Sequence, residues 1–154
     1  MMRASELKPQ FIIVMGGAGS GKNHFIEHSP TLSKFRLIDV DAIKKELSLN
    51  DAIKQIMPTI KSAFENQENV VHTTMGVNLK GQENKIKLAR QFGYAVSLIF
   101  IDTPAEVAVG QVTNRVRQGG HDVSIDNIVA SNKKSRDNFN ILKSLVDASK
   151  IVSR

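Results

Sequence analysis

The residues with the clearest chemical meaning form one glycine-rich stretch close to the N-terminus. Its sequence is Gly16-Gly17-Ala18-Gly19-Ser20-Gly21-Lys22, followed by Asn23 and His24, which fits the pattern G-x-x-x-x-G-K. Glycines let successive backbone N–H groups turn towards phosphate oxygens, and a following helix adds the positive end of its dipole. The lysine reaches the β and γ phosphates. The stretch therefore predicts a phosphate-binding loop (P-loop) for a nucleoside triphosphate, with all nine residues contributing to nucleotide binding.

The residue after the lysine departs from this pattern. A serine or threonine normally stands there and its hydroxyl ligates Mg²⁺, whereas this chain has Asn23. An amide oxygen can also ligate Mg²⁺, although the longer side chain changes the geometry around an ion that demands a near-ideal octahedron. We expect ATP and Mg²⁺ as cofactors, with Asn23 as a metal ligand.

Carboxylates follow the second apolar run of the chain. The segment Leu37-Ile38-Asp39-Val40-Asp41-Ala42-Ile43-Lys44 places two aspartates at the predicted strand end. A carboxylate there would face the phosphates and could accept a proton from an attacking hydroxyl. Asp41 also stands where a helix N-cap would, and aspartate is favoured at that position. The two roles are compatible.

These groups need a scaffold that brings them together. Five short apolar runs are typical of buried strands: Phe11–Met15, Phe35–Val40, Val70–Thr74, Tyr94–Ile101 and Lys150–Ser153. Helical patterns lie between them, from the glycine-rich loop to Ser29, from Ala42 to about Phe64, from Leu79 to Phe92, from Thr103 to Arg117, and from near Ser124 to about Asp147. Strands that alternate with helices predict an α/β three-layer sandwich with a mainly parallel five-stranded sheet.

Local signals set the expected helix boundaries. The second helical segment should be interrupted near Leu49–Asp51 and at Pro58, since proline lacks the N–H that continues a helix. Thr103 should cap the fourth segment, with Pro104 at its first helical position. Ligands of such sheets bind at the carboxyl ends of the strands, so the chemistry should lie after Met15, Asp39, His72 and Asp102.

Composition narrows the class of protein. The 154 residues predict one domain over 1–154, and the net charge of +6 favours anionic partners such as nucleotides or nucleic acid, although many small proteins are as basic without a specific reason. The chain has no cysteine, which excludes disulfides and thiolate metal sites. No apolar run approaches the length that a membrane-spanning helix needs, so we expect no membrane partner and a cytoplasmic location.

The P-loop, the strand-end Asp41-x-x-Lys44 and the later segment Gly119-Gly120-His121 together resemble the small P-loop kinases that include zeta toxins and phage-type polynucleotide kinases. The resemblance follows the element order of nearly the whole chain, and it implies a P-loop NTPase fold of the nucleoside/nucleotide kinase-like type. It also implies that Asp41 is the catalytic base, Lys44 an acceptor-side contact, and Asp39 a supporting or metal-side carboxylate.

Two further regions, the third strand and the lid, resemble those of the same kinases but carry substitutions at characteristic positions. The third strand ends Val70-Val71-His72-Thr73-Thr74, with His72 at the group's acidic position and Thr74 keeping its hydroxyl. Both are expected on the acceptor side, although His72 could equally be a buried strand histidine. A lid is expected at about 113–124, where Arg115 would neutralise charge on the transferred phosphoryl group. His121 replaces the usual arginine of the lid and would also contact the nucleotide.

The leading interpretation is an ATP-dependent kinase that transfers the γ-phosphate to a hydroxyl of a nucleic acid end, nucleotide or nucleotide sugar. Lys22, Asp41 and Arg115 would be its catalytic residues. One alternative is a nucleoside monophosphate kinase, whose acceptor insert would have to fit within Ser48–Glu68. Another is a nucleotide-binding module without catalysis, because Asn23, His72 and His121 each replace a residue that the chemistry normally uses.

Overall fold

Five parallel strands form the central sheet. The computed structural model describes residues 8–43, 48–118 and 124–153, and for Asp41, Ala42, Leu49, Ala105 and Arg115 it describes only the backbone. The strands are β1 (Gln10–Met15), β2 (Arg36–Ile38), β3 (Val70–Thr74), β4 (Ala95–Asp102) and β5 (Ala148–Ser153). They lie in the order β2-β3-β1-β4-β5, and every pairing is parallel. The predicted α/β fold with its mainly parallel sheet is therefore confirmed.

Helices connect the strands. They are α1 (Lys22–Glu27), α2 (Val40–Ile43), α3 (Leu49–Glu65), α4 (Leu79–Gln91), α5 (Ala105–Arg117) and α6 (Ile125–Leu142). Three of them begin with a side-chain cap, because the side-chain oxygens of Ser48, Asn78 and Ser124 accept a hydrogen bond from the backbone N–H three residues later.

The sheet divides the core into two layers. Along β1, alternate side chains point to opposite faces. Phe11, Ile13 and Met15 pack on the layer that contains α3, α4 and α6. Ile12 and Val14 pack on the thinner layer under α1 and the short 3₁₀ turn Leu32–Lys34. Within the described ranges, no helix is both long and apolar enough to span a membrane.

The expected break at Pro58 is wrong. Helix α3 continues through the proline to Glu65. Pro58 is exposed, so the carbonyl that loses its helical partner can bond to water. Ile56 and Ile60, on either side of it, are both buried against the sheet layer, and this packing outweighs the lost hydrogen bond.

Other boundaries differ by a few residues. Strand β2 ends at Ile38, and the N–H of Ile43 donates to the carbonyl of Asp39 at 3.2 Å. Asp39 rather than Asp41 therefore occupies the position before α2. Helix α5 begins at Ala105, so Pro104 rather than Thr103 precedes it. At the C-terminal end, α6 stops at Leu142 and β5 begins before Lys150.

Helix α6 is joined to the sheet edge by a buried amide. The side-chain amide of Asn138 donates to the carbonyl of Gly76 at 2.6 Å, and Asn138 is almost fully buried. One turn earlier, Ser135 is also buried, and within the described ranges its hydroxyl has no hydrogen-bond partner. The two side chains offer a matched comparison on one helix face.

We predict that Asn138→Ala lowers the free energy of unfolding by about 1–3 kcal/mol, because it leaves the buried Gly76 carbonyl without its donor. Ser135→Ala removes an unpaired hydroxyl and should change stability by less than about 0.5 kcal/mol, or raise it. Urea unfolding monitored by circular dichroism measures both. Equal destabilisation by the two variants would contradict the role of the Asn138 hydrogen bond.

Candidate active site

The glycine-rich stretch forms a tight loop between β1 and α1. Gly19 and Gly21 have φ of +75° and +88°, in the left-handed region that glycine tolerates best. At Gly19 a Cβ atom would also lie 2.3 Å from the carbonyl oxygen of Ala108. The loop therefore favours glycine at both positions for its backbone path, and at Gly19 also for the close contact with α5.

Three hydrogen bonds from other elements fix the loop. The N–H of Gly16 donates to the carbonyl of Thr74 at 3.3 Å, at the end of β3. Ala18 donates its N–H to the hydroxyl of Ser131 on α6 at 3.2 Å. The hydroxyl of Thr103 donates to the carbonyl of Ser20 at 2.8 Å. Thr103, expected to cap a helix, is thus a buried link between the end of β4 and the loop.

Lys22 folds back over this loop. Its Nζ lies 2.9 Å from the carbonyl oxygen of Gly16 and 3.2 Å from that of Gly17, and 3.4 Å from the hydroxyl of Ser20. The ammonium group is therefore held at the loop, where a positive charge can meet phosphate oxygens.

Asn23 and Asp39, the two predicted metal ligands, contact each other. The side-chain amide of Asn23 donates to the carboxylate of Asp39 at 3.1 Å, and Asp39 is 7% exposed. Mg²⁺ in phosphoryl-transfer sites uses one or two protein oxygens and completes its shell with phosphates and water. The carboxylate of Asp39 and the side-chain oxygen of Asn23, whose amide nitrogen makes the contact, would be suitable oxygen ligands. Within the described ranges no cluster of three or more His, Cys, Asp or Glu side chains could hold a metal.

Several predicted site residues cannot be placed against this geometry. Lys44 and His121 lie outside the described residues, as does most of the glycine-containing part of the lid. The backbone of Asp41 lies in α2 and that of Arg115 in α5, and their side chains lie outside the described part of the structure. Their roles stay predictions.

His24 lies on the exposed side of α1. Its ring is 4.0 Å, centroid to centroid, from the ring of His28, and its carbonyl oxygen lies 2.9 Å from Nδ1 of His28. Arg136 of α6 forms an ion pair with Asp102 at the end of β4 and lies over the ring of Phe100. Asp102 is therefore paired with a cation of α6.

Thr74 stands where the sequence predicted a hydroxyl on the acceptor side. Its hydroxyl accepts the N–H of Gly76 at 3.1 Å and faces the amide of Gln82 at 3.5 Å. Because its carbonyl also receives the Gly16 N–H, Thr74 joins the third strand to the phosphate loop.

His72 is a buried strand histidine. It is 2% exposed, its Nδ1 lies 2.8 Å from the carbonyl oxygen of Ile38, and its Nε2 lies 2.9 Å from Nζ of Lys85. A carbonyl only accepts, so Nδ1 carries the hydrogen and Nε2 accepts from the lysine. Burial, together with the positive charge of Lys85, lowers the pKa of His72 from 6.5 to about 3. The ring is therefore neutral at physiological pH.

Lys85 and Gln82 are polar residues of this region that the sequence interpretation missed. Both lie on the buried face of α4 beside Ile86 and Ala89. Burial lowers the pKa of Lys85 from 10.5 to about 8. The sequence contained a signal for both residues. Gln82, Lys85, Ile86 and Ala89 are spaced three or four residues apart, as on one face of a helix, so a glutamine and a lysine lie on the apolar stripe.

We predict that the protein loses stability as the pH falls from 6.5 towards 3. The unfolded chain binds a proton at His72 in this range and the folded chain does not, so protonation favours unfolding by up to about 1.4 kcal/mol per pH unit. Urea unfolding between pH 7 and pH 4 should show this slope, and His72→Gln should flatten it.

The matched control for this experiment is His28→Gln, a histidine on the exposed side of α1. This substitution leaves the buried His72 ring in place, so the pH dependence of the parent should persist. A His72→Gln protein with the parent's full slope would contradict the buried neutral ring.

Comparison with known proteins places this site in a family. A family model described as AAA domain matches residues 11–136, which span the phosphate loop, the ends of β1 to β4 and the first part of α6. A comparison with curated protein sequences finds no match.

Solved structures share the fold. A structure from the PezAT chromosomal toxin-antitoxin system of Streptococcus pneumoniae superposes with a TM-score of 0.76 at 18% identity, over 96% of this chain and 69% of that one. A chain of the Pnkp1/Rnl/Hen1 RNA repair complex gives 0.72 at 15% identity, over 92% of this chain and 49% of that one. Shikimate kinase from Acinetobacter baumannii, in complex with shikimate, gives 0.51 at 16% identity, over 96% and 85%.

This chain thus spans about half the length of the RNA repair protein and about two thirds of the toxin-antitoxin protein that it resembles. At these identities the likeness concerns the fold alone. With the family match over most of its length, the chain belongs to the AAA domain family, in which it has a kinase-like P-loop fold.

Proposed function

We propose that this protein is an ATP-dependent kinase that transfers the γ-phosphate to a hydroxyl of a nucleic acid end, nucleotide or nucleotide sugar. The observation that carries the proposal is the phosphate loop itself, with Lys22 held at it and the Asn23–Asp39 pair at its helix end. Family membership and kinase-like structural neighbours support the reaction class.

The proposed mechanism needs little covalent chemistry from the protein, because phosphoryl transfer is catalysed mostly by positioning and by neutralising charge. Backbone N–H groups of the loop would hold the β and γ phosphates. Lys22 would neutralise the negative charge that develops on the γ-phosphate during transfer. Asn23 and Asp39 would hold Mg²⁺, which supplies charge neutralisation between the phosphates when it is bound. Asp41 would accept the proton of the acceptor hydroxyl, while Lys44 and Arg115 would contact the acceptor and the transferred group.

The acceptor class rests on the resemblance to polynucleotide kinases and zeta toxins, and on a basic chain with a net charge of +6. The neighbour in an RNA repair complex supports a nucleic acid acceptor. A nucleoside monophosphate kinase is supported less, because the segment that would house its acceptor insert forms the single helix α3, whose Ile56 and Ile60 are buried in the core.

A nucleotide-binding module without catalysis is the second candidate. The observation that favours it is the Asn23–Asp39 hydrogen bond, since the amide occupies a carboxylate oxygen that a metal ion would otherwise use. ATP turnover with a panel of acceptors, oligonucleotide 5′ ends first, with and without Mg²⁺, separates the two candidates. Absence of transfer to every acceptor, with ATP binding intact, would favour the module.

Lys22→Ala should abolish most ATP binding and leave the fold intact. The ammonium donates to loop oxygens at the phosphate site, so its loss removes positive charge from that site. Isothermal titration with a nonhydrolysable ATP analogue measures the affinity, and far-UV circular dichroism checks the fold. ATP binding equal to that of the parent would refute the phosphate-loop assignment.

Asp41→Asn should keep ATP binding and lose at least ~10²-fold in transfer rate, because an amide cannot accept the acceptor's proton. The measurement is the rate of transfer from radiolabelled ATP to whichever acceptor the panel identifies.

The matched control is Asp39→Asn. It should mainly raise the Mg²⁺ concentration required for half-maximal rate, since it weakens one metal ligand. If Asp39→Asn were inactive while Asp41→Asn kept the parent's rate, the roles of the two aspartates would be reversed.

A further inference from the structure

Two histidines lie together on the exposed side of α1. His24 is part of the helix and His28 follows its last residue. The N–H of His28 donates to the carbonyl of His24 at 3.2 Å, so the helical spacing of four residues holds as far as His28. Side chains four residues apart are neighbours on one helix face. The two rings are accordingly close, with their centroids 4.0 Å apart and their planes inclined by 33°.

A hydrogen bond fixes the orientation of one ring. Nδ1 of His28 lies 2.9 Å from the carbonyl oxygen of His24. A carbonyl only accepts, so Nδ1 carries the hydrogen and the lone pair of the neutral ring is on Nε2. Metal-binding histidines are commonly held in this way, because a carbonyl that accepts from one ring nitrogen fixes the tautomer and leaves the other nitrogen for the metal.

The other ring nitrogens face solvent rather than protein. Among the residues that the structure describes, no hydrogen bond uses a ring nitrogen of His24 or Nε2 of His28. Both side chains are exposed. An ion that approaches from solvent would therefore meet two neighbouring imidazoles with no described side chain to displace.

The two rings border a cavity with room for the rest of a coordination shell. It has a volume of about 400 Å³ between α1 and β5, and its lining consists of His24, Phe25, His28, Ser29, Lys150 and Val152. The ammonium of Lys150 lies over the ring of Phe25, 5.8 Å from its centroid. A water molecule needs about 30 Å³, so several waters fit beside an ion that the two rings hold.

The chemistry of this pair selects one class of ion. Imidazole nitrogen suits Zn²⁺, Ni²⁺ and Cu²⁺, whereas Mg²⁺ takes oxygen ligands. Two histidines four residues apart on one helix face can present their nitrogens to a single ion, as they do in zinc metalloproteases. The pair therefore favours a different metal from the Mg²⁺ expected at Asn23 and Asp39.

We propose that His24 and His28 form a binding site for a divalent transition metal ion, separate from the phosphate loop. Nε2 of His28 and a ring nitrogen of His24 hold the ion, and water completes its shell. Because the ion joins successive turns of a helix only six residues long, it stabilises α1, which begins at Lys22. The inference goes beyond the proposed kinase function and does not rest on it.

Isothermal titration with ZnCl₂, without nucleotide or Mg²⁺ and in a buffer that does not bind metals, tests the site. The parent should bind one Zn²⁺ per chain. His24→Gln and His28→Gln should each bind it at least about tenfold more weakly, since even the loss of a group that only orients a ligand costs about ten- to a hundredfold. Both positions are exposed, so the variants should fold like the parent, which far-UV circular dichroism checks.

Asp39→Asn is the matched control for a metal ion at the phosphate loop, and His121→Gln is the control for any other histidine of the chain. Both variants should keep the parent's affinity for Zn²⁺. A parent that binds no Zn²⁺, or binds it no more tightly than His24→Gln and His28→Gln do, would overturn the inference. Loss of binding in Asp39→Asn would also overturn it, because the ion would then lie at the phosphate loop.

A measurement on the parent alone needs no variant. Cu²⁺ is paramagnetic and broadens the NMR signals of the rings that it binds. The ring signals of His24 and His28 should broaden first, whereas those of His72 should persist, since both of its ring nitrogens are already occupied within the fold. Earlier broadening of any other histidine would contradict the site.

These experiments do not involve phosphate transfer. A protein that binds Zn²⁺ through His24 and His28 and has no kinase activity would leave the metal site established and the proposed function refuted. A protein that transfers phosphate and binds no Zn²⁺ at these residues would do the reverse.

Discussion

The parallel pairing of β1 with β3 is the constraint on which the rest of the site depends. It sets Met15 beside Thr74, so that the next residue, Gly16, donates its N–H to the Thr74 carbonyl and the phosphate loop begins at the strand edge. Because the pairing of β2 with β3 is also parallel, Asp39 reaches the same edge. A shift of one residue in either register would turn the side chains of these strands to the opposite faces of the sheet.

The second determinant of the site's geometry is the contact of the phosphate loop with α5 and α6. A Cβ at Gly17 would lie 2.5 Å from the side chain of Asn132, and Ser131 accepts the N–H of Ala18. Loops that present backbone N–H groups to a ligand must be rigid before the ligand arrives, since ordering them on binding would cost conformational entropy. Small and hydroxyl-bearing residues on α6 allow the close approach that gives this rigidity.

The chain also differs from the kinases it resembles in the side-chain charge at the third strand. Where that group has an acidic residue, this protein has a neutral, buried His72 that accepts a hydrogen bond from Lys85. A local negative charge is thereby replaced by a positive one. The strand itself is unchanged by this reversal, because the ring still fits the pleated and buried surface of the sheet.

The sequence by itself determined the α/β class, the parallel sheet and the phosphate loop, because strand and helix periodicities and the glycine spacing are local properties of the chain. It also predicted Asn23 and Asp39 as metal ligands and Thr74 as an acceptor-side residue, since ligands of a parallel sheet bind at the carboxyl ends of its strands. Only the tertiary structure decided that α3 passes through Pro58, because packing on both sides of the proline outweighs its local preference. The tertiary structure likewise assigned Thr103 to the loop and joined His72 to Lys85, since these contacts link residues far apart in sequence whose partners no local pattern specifies.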